Sequence, residues 1–118
     1  MNKNHSPFAV DAMVAQSEAA AELLKAIANA QRLRILCMLI EGEMNVSQLN
    51  QRLSLSQSAL SQHLAKLRQA GVVDTRRQSQ TIYYRLSDPQ LLLLLSSLCE
   101  LSSHLAERPT PEDRTVQD

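Results

Sequence analysis

A chain of 118 residues, 44% of them apolar, is long enough for one compact domain with a single core. Twelve basic and twelve acidic residues cancel, the longest apolar run (Leu91 to Leu95) is far too short to cross a bilayer, and the polar start Met1 to Pro7 lacks the apolar stretch of a secretory signal, so a soluble cytoplasmic protein is expected. Only Gly42 and Gly71 are glycines, so there is no glycine loop for phosphate, and no nucleophile and base are paired in a catalytic motif. An enzyme is not expected, and no cofactor or small-molecule substrate is implied.

In chain order, residues 1–9 read as a disordered tail, and residues 10–107 as one folded domain. A first helix is predicted from Val10 to Ala28, with Val14, Ala21, Leu24 and Ile27 as its inward positions. A second follows from Ala30 to Ile40, with Leu33, Leu36, Cys37 and Ile40 as its core stripe, Arg32 and Arg34 on other faces, and Gly42 closing it. Asn45 to Leu53 forms a short third helix on which Val46, Leu49 and Leu53 share a face, and Ser54-Leu55 breaks it. From Ser56 to Ala70 a fourth helix stacks Leu60, Leu64 and Leu67 on one side and spreads Ser58, Ser61, Gln62, Ala65 and Gln69 over the other. Gly71 ends it in a left-handed conformation. Val72 to Leu86 then alternates as a β-hairpin with the polar, basic tip Arg76-Arg77-Gln78-Ser79-Gln80. A last helix is expected from Asp88 as cap and Pro89 in the first turn to about Glu107, before a second disordered tail over residues 108–118.

Two helices joined by a short turn and followed by a basic hairpin make a winged helix-turn-helix, so the fold class is mainly α with a small β-hairpin. Five consecutive leucines cover every side of the last helix, which one domain of this size cannot hide. Each fully buried leucine contributes roughly 1.5–3 kcal/mol, so the belt calls for a partner subunit, and a homodimer built by the first and last helices is expected.

The outward side of the fourth helix carries hydroxyls and amides and no acid, with Lys66 and Arg68 beside it. Such side chains donate and accept toward base edges in a major groove. Between Asn45 and Leu86 six basic residues face the single acid Asp74, while the flanks are acidic, so positive potential is concentrated on the reading unit. Aromatic residues are limited to Phe8, Tyr83 and Tyr84, too few for the stacking platforms that bind single strands, which makes double-stranded DNA the expected partner. A solvated amphipathic helix, or a winged module that binds protein and not DNA, are the plainer readings of the same pattern.

The run Leu33 to Leu39, the stretch Leu55 to Leu64 and the strand Thr81-Ile82-Tyr83-Tyr84-Arg85-Leu86 resemble the ArsR/SmtB family of bacterial winged-helix repressors, over roughly residues 15–105. Within it the chain is similar to the branch of nodulation-type, haemolysin-activator-type and persulfide-sensing regulators. The resemblance implies a homodimer on an inverted-repeat operator, whose reading helices lie about 34–36 Å apart in successive major grooves. Carried over by position, Ser58, Ser61 and Gln62 face bases, while Ser56 and Gln57 lie near phosphate at the helix N-terminus. Arg76, Arg77 and Gln80 are the wing contacts, and His63 is either a DNA contact or a packed side chain. Where many relatives have glycine this chain has Ser54, so a slightly different turn is expected.

The family's inducer sites are implied less evenly. The stretch Asn45 to Leu49 lacks the cysteine pair of the arsenic and cadmium sensors, and the four positions of the zinc-type site on the last helix hold Asp88, Gln90, Leu101 and His104, an incomplete tetrahedron. His104 and Glu107 form a shifted i, i+3 pair, which leaves a metal-responsive regulator as an alternative. Cys37 occupies the place of the first switch thiol in the redox-responsive members, whereas the second falls at Ser103, one turn beyond Cys99. A redox switch through Cys37 and Cys99 therefore stands beside a reading of both as small apolar core residues.

Overall fold

The computed structural model describes residues 9–109, so both expected tails lie almost wholly outside the described residues. It contains α1 (Val10–Ala15), α2 (Ser17–Ile27), α3 (Ala30–Leu39), β1 (Met44–Asn45), α4 (Val46–Arg52), α5 (Gln57–Gln69), β2 (Val73–Gln78), β3 (Thr81–Leu86) and α6 (Pro89–Glu107). These fall into two units, divided between Ser87 and Asp88.

In the first unit the expected single N-terminal helix is two. Gln16 leaves helical geometry at φ −98° and ψ 9°, and the Ser17 hydroxyl donates to the Met13 carbonyl at 3.0 Å, a back-bond that bends helices. The break puts Val14 out of phase with α2. Ala20, Leu23 and Ile27 form the sheltered side of α2, while Val14 and Leu24, expected inward with Ala21, are 68% and 56% exposed.

The core stripe of α3 is also rotated from the expected one: Ile35, Leu36 and Leu39 are buried, and Cys37 and Ile40 are exposed. Arg32 lies on the buried side as well. Its Nε donates to the Ala26 carbonyl at 2.6 Å, so a residue assigned to an outer face sits half-buried in line with Ile35 and Leu39. Asn29 caps this helix, its side chain accepting from the Gln31 and Arg32 amides at 3.0 Å each.

Asn45 does two jobs. Its backbone pairs with Tyr83 across the β1–β3 ladder, and its side chain accepts from the Gln48 amide at 2.8 Å while its own amide donates to Gln48 Oε1 at 2.9 Å. This capping box fixes where α4 starts. Asn45→Ala is expected to lower stability by about 1 kcal/mol in urea denaturation.

The turn into α5 needs no special residue. Ser79 is the only non-glycine among the described residues with positive φ, so Ser54 carries no left-handed strain and replaces glycine there without that cost. Ser56 caps α5 by accepting from the Ala59 amide at 3.1 Å, and Leu60, Leu64 and Leu67 are almost wholly buried. At the far end Gly71, at φ +76°, donates to the Arg68 carbonyl, and the Val72 amide donates to Leu67, both at 3.0 Å, which turns the chain sharply into β2.

The hairpin adds β1 to the two expected strands, giving an antiparallel sheet of order β1-β3-β2 with Val73 opposite Leu86, Thr75 opposite Tyr84 and Arg77 opposite Ile82. Only Ser79 and Gln80 form the turn. Ser79 reaches it at φ 58°, a conformation that costs a non-glycine residue roughly 1–2 kcal/mol.

The second unit is α6. Asp88 accepts from the Gln90 amide at 2.8 Å and Pro89 occupies the first turn, as expected. Leu92, Leu93, Leu101 and Leu105 are exposed, Leu93 by 66%, and Leu95 is buried. Among the described residues no helix is long and apolar enough to cross a membrane.

Candidate nucleic-acid interface

The helix expected to read DNA is α5, which packs on α2, α3, α4 and β2 through its leucine seam. That anchoring decides what faces outward. Ser58, Ser61, Gln62, Ala65, Lys66, Arg68 and Gln69 are all exposed, and no carboxylate stands among them. Ser56 and Gln57 lie at the helix N-terminus, where Ser56 is committed to its cap. Gln57 shares a cleft with Ser47, Asn50 and Gln51 of α4, residues of the supporting helix that the sequence reading did not select. On the other flank Ser61, Ala65, Arg68 and Gln69 share a cleft with Tyr84, which joins the reading helix to the wing. A tyrosine in a strand is indistinguishable in sequence from a core residue, so that link was not readable.

His63 is half-buried, with Nδ1 3.4 Å from Arg32 Nη1. Arginine only donates, so this nitrogen is the acceptor of a neutral ring. Burial, followed by the charges of Arg32 and Lys66, holds the His63 pKa below its ordinary value, in agreement with a neutral ring. The histidine thus ties the reading helix to α3 and, through Arg32, to the Ala26 carbonyl at the end of α2.

On the wing, Arg77 and Gln80 are exposed. Arg76 is not free. Its Nε donates to Glu43 Oε1 at 3.0 Å, its Nη2 meets the same oxygen, its Nη1 donates to Gln78 Oε1 at 2.9 Å, and its guanidinium lies 4.8 Å from the centroid of the Tyr83 ring. The hydrogen bond from Arg76 holds the Glu43 carboxyl below the usual carboxylate range. Nearby, Glu41 accepts from Arg52 Nη1 at 2.8 Å. A charge count that starts at Asn45 omits both acids, although they fold back onto two of its six bases.

Cys37 and Cys99 are free, exposed thiols, so neither is the apolar core residue that the plainer reading described. The described residues bring together no group of three or more His, Cys, Asp or Glu able to hold a metal. His104 and Glu107 are exposed near the end of α6.

Residues 29–75, which run from the cap of α3 into β2, match the family profile described as "Bacterial regulatory protein, arsR family". The transcriptional activator HlyU of Vibrio cholerae is 48% identical over 96 residues, covering 81% of this chain and 89% of that one. The chain belongs to the ArsR family. Its similarity extends to solved structures of the family: reduced HlyU from Vibrio cholerae superposes with a TM-score of 0.70 at 49% identity, over 78% of this chain and 97% of that one. The transcriptional repressor BigR from Xylella fastidiosa gives 0.72 at 36% identity, over 77% and 93%. This ArsR-family chain is therefore a transcriptional regulator with a DNA-binding winged helix-turn-helix, and not an enzyme.

Proposed function

We propose that the chain acts as a homodimeric repressor that binds an inverted-repeat operator in double-stranded DNA in the cytoplasm. The observation that carries this reading is the acid-free face of α5, presented outward by a buried leucine seam. Ser58, Ser61 and Gln62 read base edges there, while Ser56, Gln57, Lys66 and Arg68 border the backbone. Arg77 and Gln80 bring the wing to phosphate, and His63 holds the helix in place. Exposed Val10, Met13, Val14 and Leu24 in the first unit, and Leu92, Leu93, Leu101 and Leu105 on α6, are the apolar surface a second copy would cover. Repression follows from occupancy of a promoter, in keeping with the relative named as a repressor.

The test is retention of genomic duplex fragments in dilute buffer, with a steep loss of affinity as salt rises. A protein that retains no duplex at low salt is a protein-binding module. Sedimentation of the free protein as a monomer at the concentrations used would remove the dimer.

Cys37 and Cys99 are the proposed switch. Both thiols are exposed, and a relative whose solved form is described as reduced gives the state of these groups a counterpart. Peroxide or a polysulfide would take two electrons and two protons from the pair as a bridge forms, which requires their α-carbons within about 7 Å. Treated protein is expected to gain a Cys37–Cys99 crosslink by mass spectrometry and to release its operator, and Cys99→Ser to keep it. Unmodified protein with unchanged affinity would remove the switch.

A further inference from the structure

The acidic turn Glu41-Gly42-Glu43 stands directly before β1, and Glu43 reaches across to the wing strand β2. Arg76 has the residue type and wing position of a phosphate contact, yet its guanidinium is taken up on several sides. Glu43 receives Nε and Nη2, Gln78 receives Nη1, and the Tyr83 ring lies beneath. Arg77, the next residue, pairs with Ile82 on the opposite side of the hairpin and is exposed, so the two neighbouring arginines have different roles.

We propose that Glu43 is an internal substitute for DNA phosphate, which withholds Arg76 from the duplex and so limits sequence-independent affinity. The carboxylate offers the same acceptor chemistry as a phosphate oxygen, and it is tethered to the wing's own sheet through Met44 and Asn45, whose partners in β3 are Tyr84 and Tyr83. Three of the five guanidinium N–H donors are already engaged and the charge is offset by the Glu43 carboxylate, so a phosphate meets a compensated cation in place of a free one. Bound in this way, Arg76 stiffens the strand that carries Arg77 and adds no phosphate contact. The contact withheld is common to every sequence, so its absence lowers operator and non-specific affinity by the same factor, leaves their ratio unchanged, and shortens the time the regulator spends held on non-operator DNA.

The inference rests on the DNA-binding reading, and the salt dependence of binding separates the two. Affinity for a mixed-sequence duplex is measured against salt for the full chain and for Glu43→Ala, Arg76→Ala and the double variant, with folding checked by circular dichroism. The intact protein should bind with a steep slope. Glu43→Ala should steepen it by about 0.9, the increment of one added phosphate contact, and bind non-specific duplex more tightly at every salt. Arg76→Ala should leave the slope unchanged, and the double variant should return to it. A slope that flattens in Arg76→Ala would show that this arginine already meets phosphate. A slope unchanged in Glu43→Ala, or one that stays steeper than the intact protein's in the double variant because a negative charge has merely been removed, would equally overturn the proposal. Failure of the intact protein to bind any duplex would instead sink the DNA-binding reading itself.

Discussion

Leu64→Ala is expected to lower the free energy of unfolding by about 2–5 kcal/mol, the range for a truncated leucine in a closed core. Leu64 is 1% exposed and lies between Leu60 and Leu67, themselves at 0%, in the seam by which α5 packs on its neighbours. Alanine removes three heavy atoms, and the helix, pinned by the Ser56 cap and the Gly71 turn, has little freedom to close the gap. Operator binding should fall with it, since the same helix presents the reading face. Urea titration followed by circular dichroism measures the loss, and a cost below about 1 kcal/mol would mean that the seam is not enclosed. Ser61→Ala, one turn away on the exposed side, should stay within about 0.5 kcal/mol of the parent.

On DNA the expectation reverses. Gln62→Ala should leave folding intact and reduce discrimination between operator and single-base variants by about 1–3 kcal/mol at the position it reads, since the amide is a two-way hydrogen-bonding group on the exposed face. Arg77→Ala should weaken operator and variants alike and flatten the salt dependence by about 0.9. Competition binding over a set of operator variants separates these signatures. If both substitutions leave binding unchanged, the interface lies elsewhere.

Much of this architecture is legible in the sequence because periodicity and end signals agree. Leu60, Leu64 and Leu67 at helical spacing, Ser56 before them and Gly71 after them specify α5 to within a residue at each end. The alternation from Val73 to Leu86 marks the hairpin but not its register, since Arg76, Arg77 and Gln78, expected in the tip, continue β2 and pair with Tyr83, Ile82 and Thr81, and Asp88-Pro89 marks the start of α6. Illegible parts trace to side chains whose partners are remote or whose polarity misleads. Arg32 looks like a surface residue, and with it turned outward the α3 stripe rotates onto Cys37 and Ile40. Its bond to the Ala26 carbonyl lets it sit half-buried on the same side as the buried Ile35 and Leu39. The alanine-rich run from Val10 to Ala28 contains no glycine or proline, so the bend at Gln16 leaves no signal beyond Ser17, whose hydroxyl competes for the Met13 carbonyl. At the interface the composition of the reading face is plain, but the commitment of Arg76 is not: Glu43 is 33 residues away in sequence and becomes its partner only when β1 joins the sheet.

The strand order β1-β3-β2 leaves β2 with one flank of backbone amides and carbonyls unpaired. An open flank invites a neighbouring chain to zip alongside, the first step toward ribbons and insoluble aggregates. Here that flank belongs to the segment Asp74-Thr75-Arg76-Arg77-Gln78, and two copies meeting edge to edge would crowd like charges together. The cations of the wing thus act as gatekeepers, and exchanging them for β-branched apolar residues would expose the regulator to self-association long before it unfolded.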